Sequence, residues 1–161
     1  MTISSTPDLL DDNPHWQVLP PGFVDYGAAE IFSGQVETVK CFEDNSRVKE
    51  LVATPGLGRV LVVDGGGSLR CALLGDILAD KACSQGWAGI VIYGCVRDVE
   101  ILRDIPIGIR ALASNPRRST RRNEGQASLE IRIADVTIKP GDYLYADANG
   151  MLLAPGSETE M

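Results

Sequence analysis

The middle of the chain alternates short apolar runs with stretches of helical periodicity. Buried strands are predicted where β-branched and aliphatic residues follow one another, over residues 59–64, 88–94 and 107–114. Helices are predicted from Asn45 or Ser46 to Ala53, from about Asp76 to Gln85, and from Val99 to about Arg103. Because short links join these units, the pattern predicts an α/β fold with parallel strand pairs.

The two flanks of this centre differ from it. Ser5 or Thr6 can cap a short helix over residues 5–12, and residues 31–42 alternate as a strand does. The last third predicts only strands, within residues 128–134, 136–147 and 150–155, with a turn at Pro140-Gly141-Asp142. We therefore expect one domain over residues 1–161, with an N-terminal arm over 1–27 and a frayed end over 156–161.

Composition places the chain among ordinary globular proteins. It has 161 residues, 44% hydrophobic and 23% charged, with a net charge of -7. Excess negative charge argues against tight binding of nucleic acid or an anionic membrane. The apolar runs are far shorter than the ~20 residues of a membrane span, and the N-terminus has neither a basic start nor an apolar segment, so a cytoplasmic location is expected.

Cysteine and histidine usage limits the kinds of metal site and catalytic group that the chain can form. The four cysteines form no C-x-x-C motif, and His15 is the only histidine, which argues against a Cys/His zinc site and against Ser-His-Asp or Cys-His catalysis. The cysteines are expected to be reduced thiols that pack as small apolar side chains. Chemistry must then rest on carboxylates, arginines, backbone amides and a hard metal ion.

Two of the predicted strands end in glycine-containing loops, where ligands usually bind in an α/β sheet. The first loop, Asp64-Gly65-Gly66-Gly67, has no Gly-Lys-Ser/Thr, and Arg70 breaks a G-x-G-x-x-G pattern. We favour glycines that permit a close backbone approach over a phosphate cradle at this loop.

The second loop, over residues 94–98, contains Arg97 and Asp98. Arginine suits a carboxylate bidentately, and aspartate offers hard oxygen ligands for Mg²⁺ or Mn²⁺. Gly75-Asp76-Ile77-Leu78 adds an acid at the start of a helix, whose free amides favour an anion. The alternatives are a surface ion pair between Arg97 and Asp98 and helix caps made by Asp98 and Asp76.

A basic cluster stands in the otherwise acidic chain, at Arg117-Arg118-Ser119-Thr120-Arg121-Arg122. It predicts either a patch for RNA or an anionic substrate, or a solvated loop that pairs with acids of a neighbouring subunit. We favour the solvated loop.

Residues 41–98, followed by 143–155, resemble the RraA family, which comprises the regulator of ribonuclease activity A proteins and the 4-hydroxy-4-methyl-2-oxoglutarate (HMG/CHA) aldolases. The resemblance extends over about residues 28–155, and its most specific element is an Asp followed after 20 residues by Arg-Asp, here Asp76 and Arg97-Asp98. It implies a swivelling three-layer β/β/α domain with mixed sheets, assembled as a homotrimer with active sites between subunits.

The resemblance also implies residue roles. Gly75, Asp76, Ile77 and Leu78 would bind substrate, Arg97 would contact the pyruvyl group, and Asp98 would hold Mg²⁺ or Mn²⁺. Asp76 would act through metal-bound water. Some aldolases of the family bring an acid from a C-terminal extension into the neighbouring site; because this sequence stops at Met161, shortly after the last predicted strand, that contribution is not expected here.

Two functions follow from the resemblance. The first is a metal-dependent lyase that cleaves 4-hydroxy-4-methyl-2-oxoglutarate to two pyruvates through a metal-stabilised enolate, with oxaloacetate decarboxylation as a side activity. The alternative is a non-enzymatic regulator that binds and inhibits RNase E. A Schiff-base route is disfavoured because none of the four lysines lies in either candidate loop. We favour the lyase because a docking protein does not need the metal motif.

Overall fold

The computed structural model describes residues 4–158. Its strands are β1 (Gln17–Val18), β2 (Val24–Asp25), β3 (Phe32–Lys40), β4 (Val60–Asp64), β5 (Ala72–Leu74), β6 (Gly89–Val96), β7 (Gly108–Ser114), β8 (Gln126–Ala127), β9 (Ile131–Ile133), β10 (Val136–Ile138), β11 (Tyr143–Asp147) and β12 (Gly150–Ala154). Its helices are α1 (Thr6–Asp12), α2 (Ser46–Val52), α3 (Asp76–Ser84), α4 (Val99–Leu102) and a 3-10 turn, η1 (Gly156–Glu158). Over the described residues, no helix combines the length and apolarity needed to cross a membrane.

The central strands are parallel, as the alternation of strands and helices predicts. β4 pairs in parallel with β3 on one side and with β6 on the other, and β6 pairs in parallel with β7. The N-terminal half of β3 instead pairs antiparallel with β11, which continues through β12 to β1. β3 thereby joins a parallel sheet to an antiparallel one, and the predicted α/β class with mixed sheets is confirmed.

Alternation along the parallel strands produces two separate cores. Leu61 and Val63 of β4 pack on the helix side, with Val48 and Val52 of α2 and Ala79 of α3. On the opposite face, β4 packs against the antiparallel strands through apolar side chains that include Val60, Val62, Leu144, Ala146, Met151 and Leu153. The layers are therefore helices, parallel sheet and antiparallel sheet.

The structure departs from the predicted elements in several places, among them the two-residue strands β1, β2 and β8, which were not predicted. β6 runs through Gly94 to Val96, because Cys95 and Val96 pair with β5 and β7, so Arg97 directly follows the strand. β5 was not predicted, since its three residues are too few to show a period. Part of the end expected to fray is ordered: η1 carries Glu158, which accepts hydrogen bonds from Trp16 Nε1 at 3.2 Å and pairs with His15 Nε2 at 2.6 Å. Residues 159–161 lie outside the described residues.

Candidate active site

Adjacent parallel strands bring Arg97 and Asp98 to the start of α3. β5 ends at Leu74 beside Val96, the last residue of β6. The N–H of Arg97 donates to the carbonyl of Leu74 at 2.9 Å, which continues the pairing by one residue. The 20 residues between Asp76 and Arg97 therefore form α3 and β6, which return the chain to the same edge of the sheet.

Asp98 faces Asp76 and does not cap its own helix. Its backbone is left-handed, with φ 59, and although it occupies the N-cap position of α4 its side chain makes no capping hydrogen bond. Instead, Asp98 Oδ2 accepts a hydrogen bond from the N–H of Asp76 at 3.0 Å. The same oxygen is 4.0 Å from Arg97 Nε, so the ion pair that the sequence offered as an alternative is only a marginal contact.

The N-terminus of α3 completes this arrangement. Gly75 is the N-cap, and Asp76 Oδ1 accepts a hydrogen bond from the N–H of Ile77 at 2.9 Å. A Cβ atom at position 75 would lie 2.6 Å from Asp98 Oδ2, so the glycine permits the close approach of the carboxylate. Asp76 therefore satisfies one amide of the first turn, and Asp98 satisfies another.

All six residues predicted for the site line one cavity of about 630 Å³, a volume typical of small-molecule sites. The cavity is lined by Asn45, Lys49, Ala72, Leu74, Gly75, Asp76, Ile77, Leu78, Arg97, Asp98, Arg118, Ser119, Thr120 and Arg121. Four of these side chains are cationic and two are anionic. In a chain of net charge -7, this locally positive cavity suits an anionic ligand.

For the arginine cluster, the sequence favoured a solvated loop over a patch for RNA or an anionic substrate. Arg118 and Arg121 line the cavity itself, which supports the interpretation as an anionic-substrate patch. None of the four arginines of residues 117–122 forms an ion pair with a described residue. The run of arginines was the only sign in the sequence of this anionic-ligand patch. Its position next to β5 depends on a long-range contact, the bridge between Ala72 and Arg118.

Lys49 also lines the cavity, although, as expected, it lies in neither candidate loop. It projects from α2, which the sequence did not associate with the site. Its side chain is exposed, whereas a lysine that forms Schiff bases is activated by burial or by a cationic neighbour in a dry pocket. Lys49 thus adds positive charge at the cavity without the environment of a Schiff-base lysine.

Two buried polar residues before α2 hold the arginine segment in place. Asp44 Oδ2 accepts hydrogen bonds from the N–H groups of Arg122 at 2.6 Å and Glu124 at 3.2 Å, and its Oδ1 binds Ser46. Burial alone would raise the pKa of Asp44, but the hydrogen bonds from Ser46 and these amides together lower it to about 2. Its neighbour Asn45 accepts from Arg121 Nε at 2.9 Å.

The donor atoms at the site fit a hydrated divalent cation. Asp98 Oδ1 and Asp76 Oδ2 accept no hydrogen bond from the described residues, which leaves two hard oxygens for a ligand. Among residues 4–158, no group of three or more His, Cys, Asp or Glu side chains could enclose a metal ion. Mg²⁺ commonly binds through one or two carboxylates and keeps several waters, so Asp98, with Asp76 acting through water, is a suitable donor set.

Other candidate residues lie outside this cavity. In the loop after β4, Gly66 and Gly67 have positive φ, and a Cβ on Gly65 would lie 2.8 Å from the carbonyl oxygen of Tyr93, as a close backbone approach requires. The cysteines are free thiols, three of them buried, as expected. Burial raises the pKa of the Cys41 thiol to about 12 and also raises those of Cys71 and Cys95, so these thiols are poor nucleophiles.

Known proteins resemble this chain over nearly its whole length. Residues 6–153 match the RraA-like family, described as Aldolase/RraA. Two relatives, from Pseudomonas putida (strain W619) and Pseudomonas syringae pv. tomato, are provisionally named 4-hydroxy-4-methyl-2-oxoglutarate aldolase. Each is 56% identical, over 93% and 96% of this chain and the same shares of theirs.

Solved structures give the same result. The RNA-processing inhibitor RraA from Thermus thermophilus superposes with a TM-score of 0.93 at 44% identity, over 96% of this chain and 94% of that one. A Geobacillus kaustophilus HTA426 structure named S-adenosylmethionine: 2-dimethylmenaquinone methyltransferase gives a TM-score of 0.92 at 42% identity, over 94% and 95%. The match along the chain and the shared fold agree: this chain belongs to the RraA-like family, Aldolase/RraA.

Proposed function

We propose that the cavity is the active site of a divalent-metal-dependent lyase that cleaves 4-hydroxy-4-methyl-2-oxoglutarate into two pyruvates and also decarboxylates oxaloacetate. The observation that carries this proposal is the convergence of Arg97, Asp98 and Asp76 at one edge of the sheet, beside the first turn of α3. The names of the Pseudomonas relatives support the aldolase reaction.

Arg97 and the first turn of α3 bind the pyruvyl end of the substrate. The Arg97 guanidinium hydrogen-bonds no described residue and lies 4.0 Å from Asp98 at its nearest, so its donors are available to the keto oxygen and the adjacent carboxylate. The amide of Leu78 belongs to the first turn, where N–H groups have no acceptor within the helix. Together they orient the keto acid and stabilise negative charge on its oxygen.

Cleavage breaks the bond between C3 and C4. Asp76 takes the proton of the C4 hydroxyl through a water molecule, the C4–O bond becomes a carbonyl, and C4 leaves as the keto carbon of one pyruvate. The electron pair of the broken bond passes through C3 to the C2 oxygen, where Arg97 stabilises it, and protonation of C3 yields the second pyruvate. Oxaloacetate follows the same course, except that its C4 carboxylate leaves as CO₂.

Asp98 would hold Mg²⁺ or Mn²⁺ in this site, and the ion would supply Lewis-acid stabilisation of the developing negative charge. The direct test measures pyruvate release from both substrates with Mg²⁺ and then with EDTA. We expect release to require the ion and to return when Mg²⁺ is added in excess. Undiminished release after complete chelation would contradict the metal requirement.

A second candidate function is inhibition of RNase E by docking, and the similarity to the Thermus thermophilus RNA-processing inhibitor favours it. The net charge of -7 suits a basic RNA-binding surface on such a partner. Docking needs no metal, so inhibition of RNase E that persists in EDTA, from a chain without lyase activity, would favour this candidate.

We further propose that the chain forms a homotrimer, as the family resemblance implies. Ile77, which lines the cavity, shares a neighbouring groove with Ile101. They have 77% and 45% of their surface exposed, and contact with a second copy would bury them. Light scattering should give a mass three times 17.3 kDa, and Ile101→Asp should reduce it. A stable monomer of the unaltered chain at micromolar concentration would exclude the trimer.

A further inference from the structure

Arg118 and Arg121 line the same cavity as Arg97 but belong to a different segment of the backbone. Ala72 of β5 pairs with Cys95 of β6 on one side and bridges to Arg118 on the other. The backbone of β6, which ends next to Arg97, and the backbone at Arg118 are therefore separated by two strand spacings, about 10 Å. Cationic side chains from two separated backbone segments therefore line the cavity.

The second cationic group is held by buried polar contacts. Asn45, 7% exposed, accepts from Arg121 Nε through Oδ1 and donates from Nδ2 to the carbonyl of Leu73 at 3.0 Å. The hydrogen bond uses Nε, so the terminal nitrogens of Arg121 remain available to a ligand, and no described acid pairs with them. The amide of Arg122 is fixed to Asp44 at 2.6 Å. Such support is characteristic of a side chain positioned for binding.

We propose that Arg121, assisted by Arg118 and Lys49, forms a second anion subsite that binds the carboxylate remote from the keto group of a dicarboxylic 2-oxo acid. This inference rests on the proposed function, since Arg97 binds the keto-acid end. From C–C bonds of about 1.5 Å, an extended five-carbon dicarboxylate separates its carboxylate carbons by roughly 5 Å. Flexible arginine side chains can cover the difference between this carboxylate separation and the spacing of the two backbone segments.

The subsite determines specificity and does not take part in bond breaking. Its loss should therefore raise KM for dicarboxylic substrates and leave monocarboxylic substrates unaffected. A charge-assisted hydrogen bond contributes enough to predict an increase of about 10- to 100-fold for Arg121→Gln. Arg122→Gln is the matched control, because it removes the same charge from the same segment without being among the cavity-lining residues.

The experiment compares cleavage of 4-hydroxy-4-methyl-2-oxoglutarate with cleavage of 4-hydroxy-4-methyl-2-oxopentanoate, which lacks the remote carboxylate. Arg121→Gln should raise KM for the first substrate only, and Arg122→Gln should change neither. Equal effects of the two variants, or equal effects on both substrates, would overturn the subsite. Loss of the oligomer in Arg121→Gln by light scattering would instead assign the arginine to a subunit contact.

A binding measurement separates this inference from the proposed reaction. Calorimetric titration with 2-oxoglutarate, which the reaction cannot cleave between C3 and C4 as it lacks the C4 hydroxyl, is compared with titration with 2-oxobutyrate. Arg121→Gln should weaken binding of 2-oxoglutarate about tenfold or more and leave 2-oxobutyrate unchanged. If the unaltered chain binds 2-oxoglutarate in this way but releases no pyruvate, the subsite stands and the lyase fails. If 2-oxoglutarate does not bind more tightly than 2-oxobutyrate, the subsite is wrong whatever the reaction.

Discussion

Asp98 Oδ2 accepts a hydrogen bond from the backbone N–H of Asp76 at 3.0 Å, which ties the end of β6 to the first turn of α3. This contact holds one oxygen of Asp98 and leaves the other free. It also brings the two carboxylates of the site together although one belongs to a helix and the other follows a strand. A change at either residue should therefore affect the other.

Replacement of Asp98 by Asn removes the charge that would hold a divalent cation but keeps the side-chain shape. Metal affinity should fall by at least about 100-fold, because even partners of metal ligands contribute 10- to 100-fold. Turnover of oxaloacetate should fall with it, which Mn²⁺ titration and pyruvate release can measure. Asp76→Asn should reduce turnover more than affinity, and Asp104→Asn, an exposed acid outside the cavity, should change neither. Wild-type decarboxylation by Asp98→Asn would show that the site is assigned wrongly.

Gly75→Ala tests the same contact from the opposite side. The backbone at position 75 is extended, with φ -130, so alanine is conformationally allowed, but its Cβ would lie 2.6 Å from Asp98 Oδ2. We expect the fold to remain while the displaced carboxylate loses about 10- to 100-fold in metal affinity. The control is Gly94→Ala, whose nearest contact would be an ordinary 3.4 Å. Unchanged Mn²⁺ affinity in the Gly75 variant would show that Asp98 is not the ligand.

Local patterns in the sequence were enough to predict α1 to α4 and the parallel strands β3, β4, β6 and β7. They also singled out six candidate residues that the fold brings to one cavity. The arginine segment was interpreted as a solvated loop because its neighbours at the cavity are distant in sequence: Asp44 binds Arg122 across 78 residues and Asn45 binds Arg121 across 76. Lys49 was dismissed for the same reason, since its place at the cavity depends on how α2 packs against α3. Periodicity reports which face of an element is buried, but it does not report which elements meet.

Arg97→Lys keeps the positive charge but loses the planar fork of donors. Metal binding should persist because Arg97 is not a ligand. Turnover should drop by about 10²–10³-fold, the usual effect of losing one preorganised donor to a transition state. Steady-state kinetics on oxaloacetate beside Mn²⁺ titration would separate the two effects, with Arg103→Lys as an exposed control outside the cavity. A variant with unaltered kcat would exclude Arg97 from stabilising the reacting oxygen.

Asp44 should make the free energy of unfolding depend on pH in the acidic range. Its pKa is lowered from 3.8 to about 2 in the folded chain, so the folded state favours the ionised carboxylate. The stabilisation is present above about pH 4 and is lost as the pH falls through about 2, and it should be on the order of 2 kcal/mol.

Asp44→Asn should lower the free energy of unfolding at pH 7, because an amide nitrogen can no longer accept from the N–H groups of Arg122 and Glu124. Its deficit against the unaltered chain should shrink between pH 4 and pH 2, where the native carboxylate becomes protonated. Urea denaturation across this range measures the difference, with the exposed Asp135→Asn as the control. Parallel stability curves for the Asp44 variant and the unaltered chain would mean that this carboxylate is not what holds the arginine segment against β5.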